Sequence, residues 1–255
     1  MVTLVSAHGS PGVTTTGLAL AATWPEARRC LLVEADPFGG VIAARFGLGD
    51  APGLSTLAAQ TRGGWDDAAV EAHIQRLPGG LPVVVGPPSP EEAQAVWRDV
   101  AGPLAEWAAG GSEFDVIVDR GRILPGVPPN RASSENDLVL VVARPTVDQL
   151  RSASLRQAAL VAAGFEVSLV LIGDRPYGPD EVATTMRVPV LGVVAWDPRT
   201  AAALTGMPGA VRDLRRSPLV RSAATLAEML ATKPEPDLVE PSSAAVSELA
   251  EEVGR

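Results

Sequence analysis

The chain has 255 residues, a formal net charge of -9 at pH 7 and a sequence pI near 4.8, an acidic balance that repels phosphates and disfavours direct, non-specific DNA binding. One cysteine, Cys30, and two histidines, His8 and His73, exclude internal disulfides and argue against cysteine-cluster or zinc chemistry. No apolar run approaches the ~18 residues of a membrane span, and the start MVTLVSAHGS lacks a basic secretory n-region, so a cytoplasmic protein is expected.

In chain order, short β-branched runs alternate with longer Ala- and Leu-rich stretches, the pattern of βαβ units on a parallel sheet. Strands are predicted over 2–7, 30–35, 82–86, 114–119, 138–143, 167–173 and 189–195. Helices are predicted over 14–24, 54–60, 65–76, 90–109, 147–163, 179–186, 198–204 and 218–231. The fold class is therefore α/β, a single doubly wound, mostly parallel seven-stranded sheet flanked by helices. From about 232 the sequence becomes TKPEPDLVEPSS, Pro-rich and acidic, which divides the chain into a domain over 1–231 and a linker and tail over 232–255. Within that tail, SAAVSELAEEV reads as a short helix.

The most informative segment is the first strand, the loop AHGSPGV and the Thr-rich helix start. Gly9, Ser10, Gly12, Val13, Thr14 and Thr15 form a turn that aims backbone N–H groups and a positive helix end at one place, where a phosphate can sit. Thr14 and Thr15 can offer a hydroxyl to Mg²⁺. Against the phosphate-loop template G-x-x-x-x-G-K-[ST], Ala7 replaces the first glycine and Val13 the lysine. An ordinary capped strand-to-helix turn is the alternative reading of the same residues. Of 21 basic residues 20 are arginine, so a step that needs a lysine has only Lys233.

Two strands end in carboxylates. The second reads VEADPFGG over 33–40 and a later one EFDVIVDRG over 113–121, which places Asp36 and Asp119 at the strand ends where parallel sheets bind ligands. A carboxylate there orients a water or holds Mg²⁺. Asp119 is also what an apolar strand shows where it emerges into solvent.

Together these segments resemble the ParA/MinD group of P-loop ATPases, with loop K-G-G-x-G-K-T-T, second strand V-D-x-D-P-Q-G and a Walker B strand ending in Asp. Here they read His8-Gly9-Ser10-Pro11-Gly12-Val13-Thr14-Thr15, Val33-Glu34-Ala35-Asp36-Pro37-Phe38-Gly39 and Asp115-Val116-Ile117-Val118-Asp119. NDLVLVVARPT (136–146) and VLGVVAWDPRTAAALTGMPG (190–209) continue the likeness, which covers about residues 1–231. The resemblance implies ATP and Mg²⁺ as cofactors, Gly9, Ser10, Gly12, Val13, Thr14 and Thr15 as the phosphate loop, and Thr14, Asp36 and Asp119 around the metal. Asp36 would be the catalytic, water-orienting carboxylate. The departures fall on the charge clamp: Val13 stands for the lysine that pairs the phosphates, His8 for the lysine that reaches across the dimer, and Phe38 for the switch glutamine. Weak nucleotide binding and impaired hydrolysis are expected, with Arg120 and Arg122 the nearest candidates for a substitute cation and surface arginines of a loop the preferred reading of both. Phe38 is expected to cover apolar surface and Cys30 to be a small core residue.

The resemblance implies a homodimeric, nucleotide-dependent positioning or partitioning factor of cell division, chromosome partitioning or pilus and secretion assembly, with a protein partner in that machinery. The TadZ/CpaE-like subgroup, which has altered phosphate loops, is the nearest analogy. The tail SAAVSELAEEVGR is acidic and is no basic amphipathic membrane-targeting helix. A nucleotide-independent pseudo-ATPase scaffold is the alternative, and an ATP-using biosynthetic enzyme on the same fold a third, weakened by the same missing lysines.

Overall fold

The structure, a computed structural model, describes residues 1–9, 11–60, 64–123, 138–207 and 213–232. The strands are β1 (Val2–Ser6), β2 (Arg29–Glu34), β3 (Gln75–Arg76), β4 (Pro82–Val84), β5 (Phe114–Arg122), β6 (Leu138–Ala143), β7 (Glu166–Ile172) and β8 (Val190–Val194). The helices are α1 (Val13–Ala22), α2 (Ile42–Phe46), α3 (Leu54–Ala59), α4 (Asp67–Glu71), α5 (Pro90–Ala109), α6 (Val147–Ala162), α7 (Pro179–Met186), α8 (Pro198–Leu204) and α9 (Pro218–Ala231).

The sheet runs β3-β4-β2-β5-β1-β6-β7-β8. Every pairing is parallel except β3–β4. Alternate residues of the central strands feed opposite cores, as the period of two requires. Leu4, Leu32, Ile117, Leu140 and Val170 face Leu18 and Leu20 of α1 and Leu226 of α9. On the other side Leu31, Val33, Val116 and Val118 face Trp97, Val100 and Leu104 of α5, and Val139, Val141, Leu169 and Leu171 face Ala153 and Leu160 of α6. Burial on both faces explains why these strands read as unbroken apolar runs.

Helix starts follow their local chemistry. Ser89 accepts from the Glu92 N–H at 3.2 Å and Pro90 opens α5. Ser217 likewise accepts from Val220 N–H at 3.2 Å and Pro218 opens α9. The helix expected over 65–76 stops after Glu71. There the His73 ring bonds the Ala69 carbonyl at 2.8 Å, and Gln75 pairs antiparallel with Val83 as an eighth strand. The Gln75 amide, donating to the Gly49 and Pro52 carbonyls at 2.7 and 2.6 Å, holds that edge strand in place. Among the described residues no helix is long and apolar enough to cross a membrane. The tail over 232–255 lies, save Thr232, outside the described residues.

Candidate functional site

β1 lies at the point where the chain's crossovers change direction, β2 being reached on one side through β5 and β6 lying on the other, and the loop that follows it is the natural ligand crevice. The Ser6 hydroxyl donates to the His8 carbonyl at 2.9 Å and anchors that loop to the strand. Gly12 then turns the chain into α1 with φ 115° and ψ 30°, a left-handed conformation suited to glycine, and its carbonyl accepts the Thr16 N–H at 2.8 Å. α1 has no side-chain cap. The N–H groups of Val13, Thr14 and Thr15, which have no carbonyl a turn before them in the helix, therefore face the loop at the positive helix end. Gly9 is exposed, with no atom within 4 Å of where a Cβ would stand. Ser10 lies outside the described residues.

Asp119 does not emerge into solvent. It is 0% exposed, paired in register with Leu4 of β1 and Glu34 of β2. One carboxylate oxygen accepts the Gly121 N–H at 3.0 Å, and the other, Oδ2, is sealed from solvent without a well-formed hydrogen bond among the described residues. Burial pushes its pKa up to about 7 against the pull of the Thr14 hydroxyl, which favours the ionised form, while Glu34 and Asp36 push the same way as burial. Thr14 in the first turn of α1 and Asp119 on β5 are thus brought together.

Asp36 follows β2. Its carboxylate accepts the Phe38 N–H at 2.8 Å and lies directly over Gly121. Burial raises its pKa, partly offset by the Phe38 N–H and the Arg120 charge. Sequence reasoning singled out neither Glu34 nor its work. Its buried carboxylate accepts the N–H groups of Val41 at 2.6 Å, Ile42 at 2.9 Å and Gly86 at 3.0 Å, so one side chain starts α2 and fixes the loop that carries Asp36. Burial raises its pKa against those three donors. The available signal was an acidic residue inside the apolar run CLLVEA, where an unpaired carboxylate is costly.

Arg120, a candidate substitute cation read otherwise as a surface loop arginine, is neither, for it lies buried on β5. Its side chain is 4% exposed, its guanidinium donates to the Ala35 carbonyl at 2.5 Å and stacks 4.2 Å over the Trp97 ring of α5. That is the sheet face opposite α1, because Arg120 follows Asp119 on an alternating strand. Burial lowers its pKa to about 10 despite Asp36 and Asp119. Arg122 is exposed at the strand end beside Ser6. The Val13 side chain is 5% exposed and belongs to the core beneath α1, so its backbone alone faces the loop. His8 is exposed, with Nε2 3.8 Å from an Asp148 oxygen. Phe38, expected to cover apolar surface, is instead 48% exposed. Cys30 is a buried core residue whose thiol pKa is raised by burial.

The residues suit Mg²⁺ in its usual protein setting. The donor set is hydroxyl and carboxylate oxygen, and the buried Asp119 Oδ2 has no well-formed hydrogen bond among the described residues, which a metal-bound water would supply. Among the described residues no group of three or more His, Cys, Asp or Glu side chains could by itself hold a metal ion. For a phosphate the loop offers backbone donors and a helix end, without a lysine.

No model of a known protein family matches the chain. Two uncharacterized proteins of Mycobacterium tuberculosis, from strains CDC 1551 and H37Rv, are 30% identical over 230 residues, which cover 88% of this chain. The chain spans only 61% of the length of these curated relatives. Among solved structures, the septum site-determining protein MinD of Pyrococcus horikoshii, complexed with Mg-ADP, superposes with a TM-score of 0.69 at 21% identity, over 91% of this chain and 95% of that one. A ParA family ATPase of Chlorobium tepidum gives a TM-score of 0.69 at 18% identity, over 89% and 98%. An ATP complex of a McdA variant from Cyanothece gives 0.61 at 18% identity, over 92% and 98%. The expected architecture stands, and the chain has the fold of the ParA/MinD group of P-loop ATPases.

Proposed function

We propose that the chain is a ParA/MinD-like positioning or partitioning factor that binds ATP·Mg²⁺ at the β1–α1 loop and pairs as a homodimer in response. One observation carries this reading: fully buried Asp119 meets Thr14 in the first turn of α1, under the left-handed Gly12 turn. A carboxylate is costly to bury without compensation, and a hydrated Mg²⁺ on a bound phosphate supplies it. In this reading Gly9, Ser10 and Gly12 shape the loop, the backbone of Val13 to Thr15 holds phosphate, and Thr14 and Asp119 hold the metal shell. Asp36, fixed by the loop that Glu34 secures, orients the attacking water. Charge neutralisation is what phosphoryl transfer chiefly needs, so without the lysine binding is weak and turnover slow. The partner is a protein of a division, partitioning, pilus or secretion machine, and the site of action is the cytoplasm.

A second reading is favoured by a specific observation. Val13 is buried in the core and Arg120 is held on the opposite sheet face, so neither supplies a cation to the loop, as in a pseudo-ATPase scaffold that ignores nucleotide. Calorimetric titration with ATP and ADP in Mg²⁺, with light-scattering mass on the same samples, separates the two. Micromolar binding with an ATP-dependent shift from monomer to dimer supports the switch. No binding up to millimolar nucleotide, with a mass indifferent to ATP, leaves the scaffold.

A further inference from the structure

Arg144 follows β6 and Trp196 follows β8. Val142 and Val194, two residues before each, belong to the core beneath α1, so strand alternation carries both side chains to the α1 face of the sheet. There the Arg144 guanidinium lies 3.7 Å from the centroid of the Trp196 ring. The order β1-β6-β7-β8 leaves only β7 between the two residues. A Cβ on Gly173, the residue after β7, would stand 3.4 Å from the Trp196 Cβ, so the pair bridges the end of that strand. Gly12 reaches the same end: a Cβ there would meet Ile172 Cγ1 at 3.9 Å. The turn into α1 and the ring that carries the guanidinium thus adjoin consecutive residues, Ile172 and Gly173.

No carboxylate neutralises this cation. Among the described residues Arg28, Arg29 and Arg216 each hold an acidic partner, and no ion pair includes Arg144. An indole face attracts a guanidinium without cancelling its charge. The backbone on both sides is fixed, with the Arg144 N–H donating to Gln149 Oε1 at 2.8 Å and the Ala195 N–H to the Ser222 hydroxyl at 2.9 Å. Arg144 is half-buried, while the Trp196 ring stays 55% exposed at the sheet edge where ligands bind. A planar guanidinium held on a ring in this way is pre-organised for paired hydrogen bonds to a phosphate. Arg120 lies on the opposite sheet face, and Arg122 ends β5 on the other side of β1.

We infer that Arg144, presented by Trp196, is the cation that pairs with the phosphate chain of a nucleotide bound at the β1–α1 loop. The inference rests on the nucleotide-binding reading proposed above and adds to it a residue and a ligand class. Loop amides and the α1 end hold one phosphate group, and the guanidinium meets a neighbouring one. A polyphosphate chain is therefore favoured over a monophosphate. Engaging that chain shifts the guanidinium on the indole face, and the Trp196 emission changes with it.

The test is calorimetric titration of the full chain in Mg²⁺ with ATP, AMP and inorganic tripolyphosphate, alongside tryptophan emission. Arg144→Met keeps an aliphatic stem against Trp196 and removes the charge. It is expected to weaken ATP and tripolyphosphate binding roughly 10- to 100-fold, the worth of a charge-assisted hydrogen bond, and to leave AMP little changed. Arg144→Lys recovers part of the loss, because it restores the charge without the planar fork. Tripolyphosphate is expected to change the emission of the wild-type chain and not that of Trp196→Phe, a readout that stands even where Arg144→Met fails to fold. A wild-type chain that binds no ATP up to millimolar concentration overturns the nucleotide reading and this inference together. ATP binding with equal tripolyphosphate affinity in wild type and Arg144→Met overturns the inference alone. So does a loss as large for AMP as for ATP, which would place the guanidinium on the nucleoside. A wild-type emission that tripolyphosphate leaves unchanged, or changes equally in Trp196→Phe, overturns it as well.

Discussion

The Asp36 carboxylate lies so close over Gly121 that a Cβ on that glycine would stand 2.0 Å from Oδ2 and 2.2 Å from Cγ. The φ of Gly121 is +54°, a conformation L side chains rarely adopt. Gly121 also donates its N–H to Asp119 at 3.0 Å, so one residue without a side chain lets two carboxylates converge, Asp36 after β2 and Asp119 on β5. Gly121→Ala is expected to displace Asp36 and lower stability by about 1–3 kcal/mol. Any Mg²⁺-dependent nucleotide binding falls with it. Denaturant unfolding and calorimetry on the same samples measure both, and a variant with unchanged stability and binding would show that Asp36 is free to move.

Asp119 makes stability fall as pH rises toward neutrality. Its folded pKa, about 7, is above the ordinary carboxylate value of 3.8, so between those two pH values the native state binds the proton that the unfolded chain has lost. The slope of stability with pH is then negative. Its contribution is complete above about pH 7, where the cost at about 1.4 kcal/mol per unit is on the order of 4 kcal/mol. Glu34 and Asp36, also raised, act in the same direction. Asp119→Asn is expected to stabilise the protein at pH 8 by a few kcal/mol, leave it little changed at pH 4, and, if the proposed site binds nucleotide, abolish its Mg²⁺ dependence. Urea unfolding of both proteins at pH 5, 6.5 and 8 reads the difference. A wild-type chain as stable at pH 8 as at pH 5 would place the Asp119 pKa near its ordinary value.

The strands were legible because each is buried on both faces and reads as an apolar run, and most helix bounds because capping serines and prolines mark them. The edge strand Gln75–Arg76 was not, because its place depends on a side chain reaching two carbonyls distant in sequence. At the site, the loop and both aspartates could be placed from strand ends and glycines. The fate of Arg120 could not: it follows from strand alternation and from Trp97, a residue of α5 far away in the chain. Glu34 was hidden for a related reason, since its three donors come from two loops that only tertiary structure brings together.

Val13 sets two effects against each other. Its side chain is buried in the core beneath α1, so Val13→Lys loses that packing, and a thermal melt is expected to show a stability loss of about 1–2 kcal/mol. A lysine able to turn toward the loop adds a charge-assisted hydrogen bond to phosphate, worth about 1.5–3 kcal/mol, which is roughly a 10- to 100-fold gain in ATP affinity. Tighter ATP binding by a less stable variant is the expected pair of results. Lost stability without any gain in affinity would mean that the loop does not hold phosphate.

Arg120 is expected to stabilise the acidic cluster through charge and not through contact with a ligand. Its guanidinium is the cation that moderates the raised pKa of Asp36, and it lies between the Ala35 carbonyl and the Trp97 ring with Nε unpartnered among the described residues. Removing one member of such a buried set leaves uncompensated charge, typically at a cost of about 3–5 kcal/mol. Arg120→Ala should therefore unfold at markedly lower denaturant at pH 8, and part of the loss should be recovered at pH 5, where Asp119 takes up a proton. Arg120→Met keeps the packing against Trp97 and should lose less. Equal losses for the two variants at both pH values would assign the effect to packing on Trp97 and remove the electrostatic role.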